Sequence, residues 1–240
     1  PTASHYDHAT SAMLLLSAVR ALLRRRKYEV LLAALLLHLF NAVVLPDLGD
    51  YTQFFWPFDM VLLGISSYGI FVERSRTHRI IKNVLTFLVV GFPMVAIAVA
   101  RTPTIMAALS ICYAAFYVLV FVEVLRHLIR PSYINADLVS AAICGYLLLL
   151  EIGIFVMQIL YYSVPNALRH VDTTSFTTVY LDIVYYCAIV LTSIGFGDIL
   201  PGHHITKLVT AILGIAGQLY LVVLVGIIIS KYGATGTTQP

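Results

Sequence analysis

Charge is what this chain has least of: 11% of its 240 residues are Asp, Glu, Lys or Arg, against 60% hydrophobic. Soluble domains carry about 25% charged and about 45–50% apolar residues. A water-soluble fold would have nowhere to put this much apolar surface, and the mean hydropathy of +0.91 agrees, so the composition specifies an integral membrane protein. Cysteine is scarce as well. Cys112, Cys144 and Cys187 stand in apolar runs with no CxxC spacing and no histidine at metal-ligand spacing, which argues for buried, unreactive thiols. Also missing are a metal-ligand cluster, a nucleophile elbow and a phosphate-cradling loop, so nothing supports an enzyme. There is no internal repeat or low-complexity stretch. The net charge of +3 does not point to nucleic acid, because the cations stand beside apolar segments, where lipid accounts for them.

A membrane span needs about 20 mainly apolar residues. Six stretches qualify, over 28–45, 54–72, 80–100, 104–129, 136–163 and 204–231. Pro46-Asp47-Leu48-Gly49-Asp50 turns between the first two, Arg101-Thr102-Pro103 separates the third from the fourth, and Pro131 closes the fourth. With both ends cytoplasmic, every Lys and Arg except Arg101, Arg169 and Lys207 falls inside, as the positive-inside rule asks. An odd number of spans would spoil that separation. The expectation is a multi-pass protein of the cell membrane. Residues 13–23 are apolar but too short to cross, and they lead into Arg24, Arg25, Arg26 and Lys27. An interfacial helix held on anionic lipid is expected there.

Between the fifth and sixth stretches lies 164–203, rich in hydroxyls at Thr173, Thr174, Ser175, Thr177 and Thr178. These are candidate N-caps for a short helix running to about Thr192, with Leu181, Val184, Tyr185, Ala188 and Leu191 as its packed stripe and Asp182 in its first turn. Then comes Thr192-Ser193-Ile194-Gly195-Phe196-Gly197-Asp198. Glycines alternating with side-chain residues open backbone conformations closed to other residues. Successive carbonyls can then face one axis and replace the water around a cation.

This run resembles the signature of potassium channels, in which Thr-Val-Gly-Tyr-Gly-Asp is the common form. The resemblance implies an all-α membrane protein of six transmembrane helices, with a reentrant pore helix and a selectivity-filter loop between helices five and six. It implies that Thr192, Ser193, Ile194, Gly195, Phe196 and Gly197 make the filter, with K+ held at Ser193, Ile194, Gly195 and Phe196. Asp198 would stand at the outer mouth, and Tyr185 and Tyr186 would match an aromatic pair bracing the filter from behind. One filter motif per chain implies a homotetramer. Three positions depart from the family. Ser193 replaces the usual Thr, Phe196 lacks the phenol of the common Tyr, and Ile189 stands where some bacterial channels carry a carboxylate for the filter aspartate. Asp198 therefore needs another partner, such as water or a tyrosine.

In the last stretch, Gly217 stands where such channels commonly have a hinge glycine; close helix packing is the competing use. Gln218 would face the cavity or a neighbouring pore helix. Val222, Val225 and Ile229 recur at helical spacing, as an apolar gate or as lipid-facing residues. Residues 104–125 contain no Arg or Lys, so the first four stretches read as a voltage-sensor-like unit without gating charges. Glu123 is expected to pair with Arg126 or His127. Glu151 and His38 lie at membrane depth, as satisfied interior groups or as proton-sensitive points, with Gln158, Tyr or Ser expected opposite Glu151. His170, His203 and His204 would flank the outer mouth.

The domain reading is 1–27 interfacial helix and basic segment, 28–130 sensor-like domain, 131–233 pore domain and 234–240 tail. The function expected is passive K+ conduction with no cofactor beyond the permeant ion, no nucleic-acid partner, and no nucleotide- or calcium-binding domain. The alternative is a weakly selective K+/Na+ channel, followed by an uptake transporter or a non-conducting subunit.

Overall fold

The computed structural model describes residues 26–44, 55–68, 70–71, 76, 79–80, 83–84, 86–91, 102–129 and 136–236. The interfacial helix expected over 13–23, Arg24, Arg25 and most of the stretch 80–100 lie outside the described residues. Eight elements follow in order: α1 (Lys27–Val44), α2 (Trp56–Tyr68), α3 (Pro103–Ile129), α4 (Ala136–Ser163), β1 (Leu168–Arg169), α5 (Phe176–Leu191), β2 (Leu200–Pro201) and α6 (His204–Gly236).

Hydropathy and local stop signals account for the helices. Pro103 opens α3 at the first helical position, where a missing N–H costs nothing. Thr102 precedes it and accepts the Ile105 N–H at 3.4 Å. Arg126 and His127 close the same helix at its negative end, and Arg126 pairs with Glu123 at 2.7 Å as expected. Hydroxyls inside the apolar helices bond back one turn: Ser67 to the Leu63 carbonyl at 2.8 Å, Ser110 to Met106 at 2.7 Å.

Among the described residues, three helices are long and apolar enough to cross a membrane, at Pro103–Ile129, Asp137–Ser163 and His204–Gly226. The first two expected spans correspond to α1 and to a 13-residue α2. At 1.5 Å per residue α2 is roughly 20 Å long, short of a hydrocarbon core of about 30 Å.

Packing is organised around α4, which serves two cores with opposite faces. On one side α1, α2 and α3 bury Leu31, Leu35, Met60, Leu63, Phe116 and Val120 against Leu148 and Phe155. Tyr113 and Tyr117 stack on Phe155 with centroids at 5.0 and 5.6 Å. On the other side Ile154 and Met157 meet Val179, Ile183 and Cys187 of α5 and Leu213 of α6. Tyr220 of α6 crosses to the first core, and its hydroxyl donates to the Ala142 carbonyl of α4 at 2.7 Å. Gly145 makes the room, since any Cβ there would strike the Tyr220 ring. Cys144 and Cys187 are buried free thiols, as the sequence leads one to expect, and Cys112 is half-buried.

Of the partners expected opposite Glu151, Gln158 is engaged elsewhere. Its Oε1 lies 2.9 Å from the Ser110 hydroxyl, while Glu151 stands 3.8 Å from His38 of α1. Residues 113 positions apart in sequence are brought together by helix packing, which no local pattern encodes.

Candidate functional site

The segment between α4 and α6 is closed by a two-residue antiparallel ladder. It pairs Leu168 with Pro201 and Arg169 with Leu200, so the beginning and end of the excursion are tied together. Within it, α5 starts at a capping box. Ser175, extended at φ −150°, accepts the Thr178 N–H at 3.1 Å, and the Thr178 hydroxyl accepts the Ser175 N–H at 3.1 Å. Asp182 lies a turn later than expected. It accepts the Asp172 N–H at 2.7 Å, tethering the loop that leads in. The buried face of α5 is also rotated from the expected stripe. Val179, Ile183, Tyr186 and Cys187 are fully buried; of the expected stripe Leu191 is buried, Leu181, Val184 and Ala188 only half, and Tyr185 is exposed. With apolar residues all round a helix, hydropathy cannot pick the face.

Thr192 caps α5, its hydroxyl bonded to the Ala188 carbonyl at 2.7 Å, and the chain then folds back over the helix end. The N–H groups of Ser193, Ile194 and Gly195 donate to the carbonyls of Val190, Ile189 and Ile189 at 3.0, 2.9 and 3.2 Å. In a trans peptide the carbonyl points opposite the N–H of the next residue. The carbonyls of Thr192, Ser193 and Ile194 are therefore turned away from α5. The backbone has positive φ at alternate positions: Ser193 at 60°, Gly195 at 56° and Gly197 at 79°. A Cβ on either glycine would meet nothing within 4 Å, so glycine is required by its φ and not by crowding. For a serine the left-handed region costs roughly 1–2 kcal/mol. Gln218 of α6 donates from Nε2 to the Ser193 hydroxyl at 2.8 Å and holds it there. The sequence expectation had placed Gln218 on the cavity or on another pore helix.

Asp198 ends the run. Its Oδ2 accepts from the Tyr185 hydroxyl at 2.6 Å and its Oδ1 from the Ile199 N–H at 3.0 Å. The Tyr185 bond, helped by the backbone N–H and opposed by slight desolvation, holds the carboxyl below the ordinary carboxylate range. The same bond pushes the Tyr185 phenol up. With Ile189 unable to serve it, Asp198 has the tyrosine partner that the sequence left open. His170 Nδ1 lies 3.0 Å from the Asp198 carbonyl, and the rings of His203 and His204 meet at 4.1 Å, tilted by 40°.

The expected aromatic pair is divided. Tyr185 serves Asp198 at the end of the run, whereas the Tyr186 hydroxyl lies 2.7 Å from Thr210 Oγ1 of α6 and fastens α5 to that helix. At Gly217, α6 passes close over the end of α5. An added Cβ would sit 2.6 Å from the Leu191 carbonyl oxygen and 2.7 Å from Leu191 Cδ1, and the helix runs through this point without a break. Close packing is thus the use seen for this glycine. Val222 and Val225 are exposed, and the side chain of Ile229 lies outside the described residues. Among the described residues, no group of three or more His, Cys, Asp or Glu could hold a metal ion.

Residues 145–233, which contain this whole arrangement, match a family model described as an ion channel. No curated protein and no solved structure matches the chain. The family match supports an ion channel embedded in a membrane, and thus transport in preference to catalysis.

Proposed function

We propose that the chain is a potassium-selective channel that works as a homotetramer. In this reading four copies surround an axis lined by the carbonyls of Thr192, Ser193, Ile194, Gly195 and Phe196. The observation that carries it is the outward turn of the Thr192, Ser193 and Ile194 carbonyls, joined to positive φ at every second residue from Ser193 to Gly197. Carbonyl oxygens from four copies converging on one axis would replace the water around a dehydrated monovalent cation. The carbonyl end of α5, the negative end of its dipole, adds to the attraction. Asp198 supplies a fixed negative charge at the entrance.

Assembly is supported by what one copy leaves uncovered. Ile194 and Phe196 are 57% and 71% exposed. On α6 the exposed apolar residues include Ile205, Leu208, Ile212, Ile215, Leu219 and Val222, with Leu221, Val223 and Val225 beside them. That uncovered surface is available to lipid and to neighbouring copies, and its residues near the filter segment suit the latter.

Voltage does not drive the gate in this proposal. α3 has no Arg or Lys before Arg126, so no charge lies where a field could move it. Residues 28–130 then act as a sensor-like scaffold, 131–233 as the pore domain, and both ends lie in the cytoplasm. A weakly selective cation channel remains the second reading, because Ser193 lacks the stiffening branch of Thr.

The experiment is ion flux from the purified chain in liposomes, with potassium replaced by sodium and barium added as a blocker. Potassium flux that barium stops and sodium does not replace is the expected result. Equal potassium and sodium flux would install the second reading, and no flux would end both. Gly195→Ala, which puts a Cβ on a left-handed backbone, is expected to abolish the selective flux.

A further inference from the structure

Midway along α4, Glu151 is 0% exposed and faces His38 of α1. His38 of α1 and Asp59 of α2, each 1% exposed, complete a cluster. One imidazole stands between two carboxylates: His38 Nδ1 is 3.7 Å from Asp59 Oδ2, and His38 Nε2 is 3.8 Å from Glu151 Oε1. The two acids are not equivalent. Asp59 Oδ2 accepts from Asn41 Nδ2 at 3.0 Å. Neither oxygen of Glu151 has a hydrogen-bond partner among the described residues. Also facing the cluster are the Tyr117 phenol of α3 and the Cys187 thiol of α5, both close enough to feel the carboxylate charge. No Lys or Arg pairs with either acid among the described residues.

Charge counting then constrains the protons. With none bound, the two carboxylates and a neutral imidazole carry two negative charges. With all three groups protonated the cluster is positive. It is neutral only when two protons are shared among three groups, and an uncompensated charge in this dry interior is costly. Asn41 gives one oxygen of Asp59 a donor and leaves Oδ1 without one, whereas no donor is aimed at either oxygen of Glu151, so Glu151 is the acid that holds a proton. Such a group titrates as a unit.

The cluster also has an outlet. Tyr180 of α5 places its hydroxyl 2.8 Å from His38 Nε2. A bare Nε2 accepts the phenolic proton. A protonated Nε2 donates to the phenol oxygen, and the phenolic proton must turn elsewhere. The protonation state of the cluster therefore reverses a hydrogen bond on the helix whose far end supports residues 193–195.

We infer that His38, Asp59 and Glu151 form one buried proton-binding site and that its occupancy is passed to α5 through Tyr180. The site itself stands apart from the channel reading; its effect on conduction rests on it.

Two measurements on the full chain in lipid vesicles separate these claims. Infrared difference spectra taken across pH read the carbonyl stretch of a protonated carboxylic acid. The expected result is a band that titrates, that Glu151→Gln removes, and that gains a second component from Asp59 in His38→Gln. Glu151→Gln copies the shape and neutrality of the protonated acid, so its melting temperature should equal or exceed that of the parent. A band that does not titrate, a band that survives Glu151→Gln, or a large fall in melting temperature would each overturn the site. Ion flux across the same pH range reads the coupling. Tyr180→Phe should keep the titrating band and lose the pH dependence of flux. Parental pH dependence in that variant overturns the coupling, as does a parent chain with no pH dependence. A parent chain with no flux at all removes the coupling together with the channel reading, and the infrared result still decides the site.

Discussion

α4 and α6 are nearly indistinguishable as sequence. Their membrane-length windows have mean hydropathies of 2.2 and 2.3, yet 56% of the first is buried within the protomer and 11% of the second. Hydropathy reports what a helix avoids, namely water, and is silent on what it touches instead. α4 touches protein on both faces and joins the two cores. α6 touches protein along one narrow edge, where Leu213, Gly217 and Tyr220 meet α4 and α5, and leaves the rest of its apolar surface uncovered. A buried helix sets the stability of the protomer, and in the proposed tetramer the uncovered one would set assembly.

Matched substitutions on the two helices test that division. Leu148→Ala, in the first core at 0% exposure, should cost about 2–5 kcal/mol of folding stability. Leu208→Ala, 63% exposed on α6, should move protomer stability by less than about 0.5 kcal/mol while shifting the oligomer towards smaller species. Chemical unfolding in mixed micelles and light scattering in detergent read the two effects. Equal loss of stability from both changes would erase the distinction.

The contrast sharpens within α6 alone, at two glycines. Gly217→Ala drives a Cβ into the Leu191 backbone and should destabilise by about 1–3 kcal/mol. Gly226→Ala, with nothing within 4 Å, should stabilise by up to about 1 kcal/mol through helix propensity. A stabilising Gly217→Ala would mean that the two helices do not approach at this point.

The smallest effect is expected at the polar outer end, away from both helices. Asp198 titrates below the ordinary value of 3.8, chiefly through the Tyr185 hydroxyl. For a depressed carboxyl the stabilising contact is fully present above pH 3.8 and is lost as pH falls through the lowered value. Tyr185→Phe should raise the Asp198 midpoint back towards 3.8, seen by carbon NMR of labelled aspartate. An unchanged midpoint would remove Tyr185 as its cause.

Much of this could be read from the chain before folding. Apolar runs located α3, α4 and α6, Arg101-Thr102-Pro103 marked the break before α3, Ser175 was among five hydroxyls offered to cap α5, and Ser193 to Asp198 marked the segment that folds back. The misreadings share a cause. The buried face of α5, the division of Tyr185 from Tyr186, the Gln218 bond to Ser193 and the Glu151 approach to His38 all depend on how separate helices pack. When nearly every side chain is apolar, no periodicity remains to specify that packing. The polar exceptions are found by sequence, and their partners only by structure.

The Tyr220 hydroxyl on the Ala142 carbonyl, seated over Gly145, gives α6 a fulcrum. Beyond it the helix continues over residues 221–236 for roughly 24 Å, with Leu224 still against the first core, and a swing of about 10° at the contact would carry its far end about 4 Å. A movement of that far end can thus leave the segment at 193–198 at rest.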